Sequence, residues 1–293
     1  MTQKSVHISN EKIMKRKSII GSNWKIKLAS IPVIFFILIG IFGPLTIDFN
    51  PLETFTDERL LPPGTVLKDG SVAWLGTDQV GRNVLYQIIY GTRISLLVSL
   101  ATVFFGGFIG VVLGLISGYF GGITDSVIMR IADIQLAFPA ILLAILIAGV
   151  LGPSVTNIII TLSITRWVTF ARVTRSATLS TKKKSFVDSA KALGASNFKI
   201  IFKYILPMCV SSIMVIVTVQ LGLVIISEAS LSFLGLGVPS SQPSWGYLIS
   251  LGRDYINSAW WIAAMPGLAL SILVVSVGYM GDKLRDMLDT SLE

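Results

Sequence analysis

Residues 94–117 read ISLLVSLATVFFGGFIGVVLGLIS, twenty-four residues without one charged side chain. As a helix this stretch would reach about 36 Å, enough to cross the ~30 Å of hydrocarbon in a bilayer. Only a helix satisfies its own backbone groups within one short span, and the alternating ten-residue segments of a barrel are absent. Five further stretches have comparable length and apolarity: about Leu28–Ile47, Val127–Leu151, Val155–Ala171, Met208–Ser227 and Trp260–Met280. The expected fold class is therefore all-α, a polytopic membrane protein with six transmembrane helices.

Composition agrees. The 293 residues are 53% hydrophobic and 14% charged, with a mean hydropathy of +0.76. So few charges cannot cover a water-facing surface, which excludes an ordinary soluble enzyme and a disordered chain. The net charge of +8 does not gather on a nucleic-acid-binding motif, so no nucleic-acid partner is expected. Membrane lipid is the expected surroundings. One cysteine, Cys209, excludes an intrachain disulfide and a cysteine-rich metal site, and the single His7 lies in the polar N-terminal stretch. No metal site is expected, and Cys209 reads as a packed apolar side chain.

Lys and Arg set the expected orientation. The N-terminal stretch holds Lys4, Lys12, Lys15, Arg16, Lys17, Lys25 and Lys27 against Glu11. Residues 172–203 hold Arg172, Arg175, Lys182, Lys183, Lys184, Lys191, Lys199 and Lys203 against Asp188. Residues 48–91 are acidic by contrast, with Asp48, Glu53, Asp57, Glu58, Asp69 and Asp78. Positive charge stays in the cytoplasm. That gives a cytoplasmic tail over 1–27, a first span over 28–47 and an extracytoplasmic segment over 48–91. A five-helix core over 92–282 and a cytoplasmic tail over 283–293 follow. Trp24, Trp260 and Trp261 fall where an aromatic belt would lie. The first apolar run follows nearly thirty polar and basic residues and reads as an uncleaved span rather than a signal peptide.

Four local patterns carry more detail. Asp78 to Tyr90 has Val80, Val84, Leu85, Ile88 and Ile89 at helical spacing, an amphipathic helix lying either on the membrane or on the protein's own outer face. Gly106, Gly110, Gly114 and Gly118 repeat every fourth residue, which favours a face for close helix packing without saying against what. Arg130 and Asp133 share a helix face and read as an internal ion pair, a place in a substrate path being the alternative. Arg166 and Glu228 either line a translocation path or pair with a partner subunit.

Residues 185–207 are too polar for a span and too patterned for a loop. Ser185 and Asp188 form an expected capping pair, with Phe186, Ala190 and Leu193 as an apolar stripe. Gly194 suits a left-handed helix end, and Ser196 can cap a second helix bearing Phe198, Ile201, Phe202 and Ile205. Pro207 is expected to break the chain. The apolar face packs either on this chain or on a cytoplasmic partner.

Here the chain resembles a known family. Asp188-Ser189-Ala190-Lys191-Ala192-Leu193-Gly194, followed by Tyr204-Ile205-Leu206-Pro207, is similar to the EAA motif of ATP-binding-cassette (ABC) importer permeases, with Asp for Glu, Ser for the first Ala and Tyr for Ile. Leu75 to Asn83, Arg130 to Asp133, Glu228 to Gly237 and Gly281 to Asp289 resemble the dipeptide, oligopeptide and nickel branch, Asn83 standing where that branch usually has Asp. Together these cover the chain from about residue 30 onward.

The resemblance implies a type I ABC importer transmembrane fold, with coupling helices at about 185–205. It implies that Asp188 to Gly194, ending at Pro207, couples the permease to two cytoplasmic ATPase subunits that bind ATP and Mg. The chain itself has no GxxxxGK[ST] motif and is expected to be no enzyme and to hold no cofactor. A homologous second permease and an extracytoplasmic substrate-binding (lipo)protein are implied partners, the latter docking on 48–91 and about 228–259. Short peptides are the implied cargo, with nickel or a metal chelate as the alternative. A proton-coupled carrier using Asp133 and Glu228 leaves the 185–207 segment without a purpose. A membrane enzyme lacks a visible nucleophile–base pair.

Overall fold

The computed structural model describes residues 27–47 and 49–289. The expectations placed on the N-terminal tail through Ile26, including His7 and Trp24, on Asp48 and on residues 290–293 lie outside them. Helix α1 spans Lys27–Thr46. An irregular segment with a two-strand ribbon, β1 (Thr65–Val66) antiparallel to β2 (Val72–Ala73), leads to α2 (Val84–Phe120). Then come α3 (Gly122–Leu136), α4 (Ala140–Leu151), α5 (Val155–Lys182) and α6 (Ser185–Ala192). The chain closes with α7 (Asn197–Phe233), α8 (Trp245–Gly252) and α9 (Trp261–Asp289).

Helices α1, α2, α7 and α9 are each long and apolar enough to cross a membrane. The α3–α4 pair passes the same test together but is bent by 87°. The remaining expected span lies in α5, which is 28 residues long and carries Arg166, Arg172, Arg175 and Lys182. Six crossings are compatible with these elements.

The bend corrects the expectation of one continuous helix over 127–151. Pro139 stands at the break before α4 with an extended ψ of 125°. Proline pushes the preceding residue out of the helical region and removes a backbone donor, so α3 ends before it. The amphipathic helix expected at Asp78–Tyr90 is not a separate element either. Residues 78–82 form a turn, Asn83 caps α2 by accepting from the Leu85 amide at 3.0 Å, and the helix runs unbroken into the span. Its Val84 and Ile88 are buried against the protein rather than laid on lipid.

Pro207 does not break the chain. Residues Ile200–Ile205 form a π-helical turn, with the Leu206 amide donating to the Ile201 carbonyl five residues back. The residue without an N–H thus sits where the ladder changes from i→i−5 to i→i−4, and the helix passes through.

Helices α2 and α5 form the centre. A Cβ added at Gly106 would lie 3.2 Å from the Ser163 carbonyl oxygen, at Gly110 2.3 Å from that of Trp167, and at Gly114 2.5 Å from that of Ala171. At Gly118 it would meet Thr178 Cβ at 2.8 Å. The glycine period of α2 thus runs in step with the backbone of α5. Around this pair, Trp245 of α8 is fully buried beside Phe36 of α1 and donates through Nε1 to the Ile88 carbonyl at 3.0 Å. Trp261, expected in an aromatic belt, is instead buried and donates to the Thr77 carbonyl at 3.1 Å; Trp260 is half-exposed.

The 49–83 segment is held by a buried ion pair that composition alone did not single out. Asp78 Oδ2 accepts from Arg82 Nε at 2.8 Å and from Gln87 Nε2 at 2.9 Å, while Oδ1 takes the Val80 and Arg82 amides. Arg82 Nη1 reaches the Pro51 carbonyl at 2.6 Å. Removing one partner of such a pair strands a buried charge, at about 3–5 kcal/mol. Asp78→Ala is therefore expected to open this segment to limited proteolysis while α2 and the rest of the chain stay protected. An unchanged cleavage pattern would refute the pair's holding role.

Candidate functional site

The coupling-segment residues form a helix hairpin at the basic end of the bundle, Arg166 lies in a polar strip between α5 and α7, and Arg130 and Asp133 stand apart on α3.

In the hairpin, α6 opens without the expected side-chain cap. Lys184 occupies the cap position, and the Ser185 carbonyl accepts from Ser189 Oγ at 3.0 Å. Asp188 is exposed and pairs with Lys191 Nζ at 3.3 Å. The helix end is a Schellman motif: Gly194 has φ +76°, its amide donates to the Lys191 carbonyl, and the Ala195 amide donates to that of Ala190. A Cβ at Gly194 would meet nothing within 4 Å, so the demand for glycine is one of backbone conformation alone. Ser196 then caps α7, accepting from the Lys199 amide.

The expected apolar stripe divides into two faces. Val187, Ile200, Ile201 and Ile205 are buried against Leu115, Tyr119 and Cys209, and Ala190 is buried as well. Leu193 is 88% exposed and Phe198 72%, and the Phe198 ring packs on Phe202 with centroids 4.4 Å apart. One side glues the hairpin to the bundle; the other stands free. The hairpin is also tied to α2: Tyr119 donates to Asn197 Oδ1 at 2.7 Å, and Lys182 Nζ donates to the Tyr119 carbonyl. Ala192 and Lys191 lie on the exposed side, and Pro207 lies inside α7 just beyond the π turn.

Arg172 and Arg175 belong to α5, not to a loop, because that helix continues to Lys182. This corrects the expected Arg130–Asp133 pair. Asp133 is paired with Arg172, and Asp125 takes both arms of Arg175, at 2.5 and 2.6 Å. Arg175 meets Asp125 side-on through Nε and Nη2, a bidentate geometry that the i,i+3 reach along α3 does not offer, and Arg172 reaches Asp133 through Nη2. Arg130 is exposed.

In the polar strip, Arg166 of α5 donates to Ser227 Oγ of α7, and its Nε has no partner. Glu228 is buried; its Oε1 accepts from Ser232 at 2.7 Å, and Ser244, the cap of α8, donates on to Ser232. Glu228 Oε2 is unpartnered. The structure brings Arg166 next to the α7 turn that carries Glu228.

The family described as "Binding-protein-dependent transport system inner membrane component" matches residues 110–292. The chain is 36% identical over 264 residues to the di/tripeptide transport system permease protein DppC of Pseudomonas aeruginosa, covering 89% of this chain and 87% of that one. It is 41% identical over 272 residues to the dipeptide transport system permease protein DppC of Alkalihalophilus pseudofirmus, covering 92% and 88%. Among solved structures, an inward-facing MetNI methionine ABC transporter superposes with a TM-score of 0.57 at 20% identity, over 70% of this chain and 97% of that one. That likeness is one of fold.

Proposed function

We propose, because the chain belongs to the family of binding-protein-dependent transport system inner membrane components, that it passes short peptides across the cytoplasmic membrane. It is a multi-pass permease subunit of an ABC importer and not itself an enzyme. Membership implies a transporter complex with ATPase and other subunits. The finer assignment is our reading: a homologous second permease, two cytoplasmic ATPase subunits that bind ATP and Mg, and an extracytoplasmic substrate-binding lipoprotein. Peptides are favoured as cargo because relatives matched over most of their length are di- and tripeptide permeases.

The observation that carries the coupling assignment is the free ridge of Leu193, Phe198 and Phe202 on a hairpin whose other face is anchored. Large apolar side chains exposed together, beside Lys191, Lys199 and Lys203, mark a contact surface for a soluble partner. The π turn and the Tyr119 tie join this ridge stiffly to α7 and α2, so a push on it tilts spans as packed bodies. The same basic end supports cytoplasmic N- and C-termini. Arg166, partly exposed and bonded to Ser227 of α7, is our candidate for lining a polar cargo path, whereas Glu228 is buried and held within the chain by Ser232.

The test is reconstitution of the whole complex with ATPase subunits. Phe198→Asp with Leu193→Asp is expected to lower substrate-stimulated ATP hydrolysis and peptide uptake by about tenfold or more, the cost of desolvating charges in a contact core. Uptake at the wild-type rate in that variant, or uphill uptake by the permease without any ATPase, would sink the reading.

A further inference from the structure

A groove of about 430 Å³ lies between α1 and α2, lined by Ile37, Ile41 and Leu45 on the first helix and by Arg93, Leu97 and Leu100 on the second. The helices approach closely at Gly40, where a Cβ would lie 3.1 Å from Leu96 Cδ1 and 3.6 Å from the Arg93 Cα. Ile41, Leu45, Leu97 and Leu100 are exposed, so the groove opens away from the bundle. Among the described residues that line it, Arg93 alone is polar. Arg93 stands immediately before the charge-free run of residues 94–117, at the edge of the hydrocarbon. From Arg93 to Leu100 the groove follows α2 into that run for about 10 Å.

Arg82, Arg172 and Arg175 each meet a carboxylate of this chain. Arg93 is exposed and, among the described residues, has no ion pair and no side-chain hydrogen bond. A charge at the hydrocarbon edge is costly until a counter-charge or water meets it. The guanidinium fork matches two phosphate oxygens at once. A phospholipid brings a phosphate and an apolar chain in one molecule, in the order in which Arg93 and the groove present themselves. A protein helix laid here would need a carboxylate of its own at the level of Arg93.

We propose that this groove binds an anionic phospholipid of the outer leaflet. Its phosphate oxygens accept from Arg93, and one acyl chain lies between Ile37 and Ile41 on one side and Leu97 and Leu100 on the other. No carboxylate lines the groove to receive the cation of a zwitterionic head group, which would face Arg93 unfavourably. The choice of leaflet rests on the importer reading, which puts the start of α2 outside.

The experiment takes the complete transporter, strips it of lipid in detergent and titrates it with phosphatidylglycerol or phosphatidylcholine, counting bound lipid by native mass spectrometry. Arg93→Gln is expected to weaken the tightest phosphatidylglycerol site about tenfold, the scale of a lost charge-assisted hydrogen bond, and to change phosphatidylcholine little. Arg93→Lys keeps the charge and should retain most of the affinity. Leu97→Trp fills the groove with Arg93 in place and is expected to weaken both lipids. Wild-type phosphatidylglycerol affinity in Arg93→Gln would overturn the site. Loss of the second permease subunit from that variant, with lipid affinity unchanged, would assign the groove to a protein helix and overturn it as well. Leu45→Cys in whole cells reads the leaflet, because Cys209 is buried and stays silent. Labelling by an impermeant maleimide from outside is expected. Labelling only after lysis would overturn the outer-leaflet placement and the importer orientation together, whereas the titration tests the Arg93 site in either orientation.

Discussion

Leucine at both Gly110 and Gly114 is expected to abolish recovery of an assembled transporter from detergent. At these positions even a methyl group would lie 2.3 Å from the Trp167 carbonyl oxygen and 2.5 Å from that of Ala171. The obstacles are backbone atoms of α5, which cannot turn aside as a side chain can. Relief requires α2 and α5 to separate along the face that Gly106 and Gly118 extend. Overpacking a fitted interior costs about 1–3 kcal/mol per site, occasionally more. The two sites share one helix pair, so their effects will couple rather than add. A total near 3 kcal/mol changes an equilibrium more than a hundredfold. Gly149 provides the control, because a Cβ there meets nothing within 4 Å. The readout is the sizing-column yield of complex. Equal yields of the double variant and of Gly149→Leu would refute the packing account.

Valine at Gly194 is expected to uncouple rather than disassemble. The position is open in space, so the penalty is the left-handed backbone at φ +76°, costing an L-residue about 1–2 kcal/mol and a β-branched one more. The Schellman bonds at Lys191 and Ala190 loosen, α6 frays, and Leu193 at its end loses its fixed position. Uptake and substrate-stimulated hydrolysis are expected to drop about tenfold with complex recovery unchanged, since about 1.4 kcal/mol is a factor of ten. Asparagine tolerates the left-handed region, so Gly194→Asn should recover most of the activity. If valine and asparagine behave alike, backbone conformation is not what the position supplies.

The hairpin was largely legible in the sequence because its signals are local. Gly194 after an eight-residue pattern and Ser196 two residues on mark an end and a start, and both elements lie where those residues put them. The first turn was misread, since Ser185 stands inside α6 and Lys184 before it. Hydropathy also found the apolar stretches. It does not register the 87° bend before α4, which Pro139 marks and hydropathy ignores, or the passage of α7 through Pro207, which depends on how the π turn satisfies the carbonyls nearby.

What the residue order determined by itself is period and run length: where chain can be helix in lipid, which end is basic, and which face of α2 is bare of side chains. Those are properties of neighbours along one chain. Partners separated by long stretches of sequence were decided only in three dimensions. Asp133 meets Arg172 rather than Arg130, Trp261 joins the core through Thr77, Arg82 reaches back to the Pro51 carbonyl, and one side of the hairpin is spent on Leu115 and Tyr119. Charge and hydrogen-bonding groups act over a few ångströms of space, and folding alone determines which distant residues come within that reach.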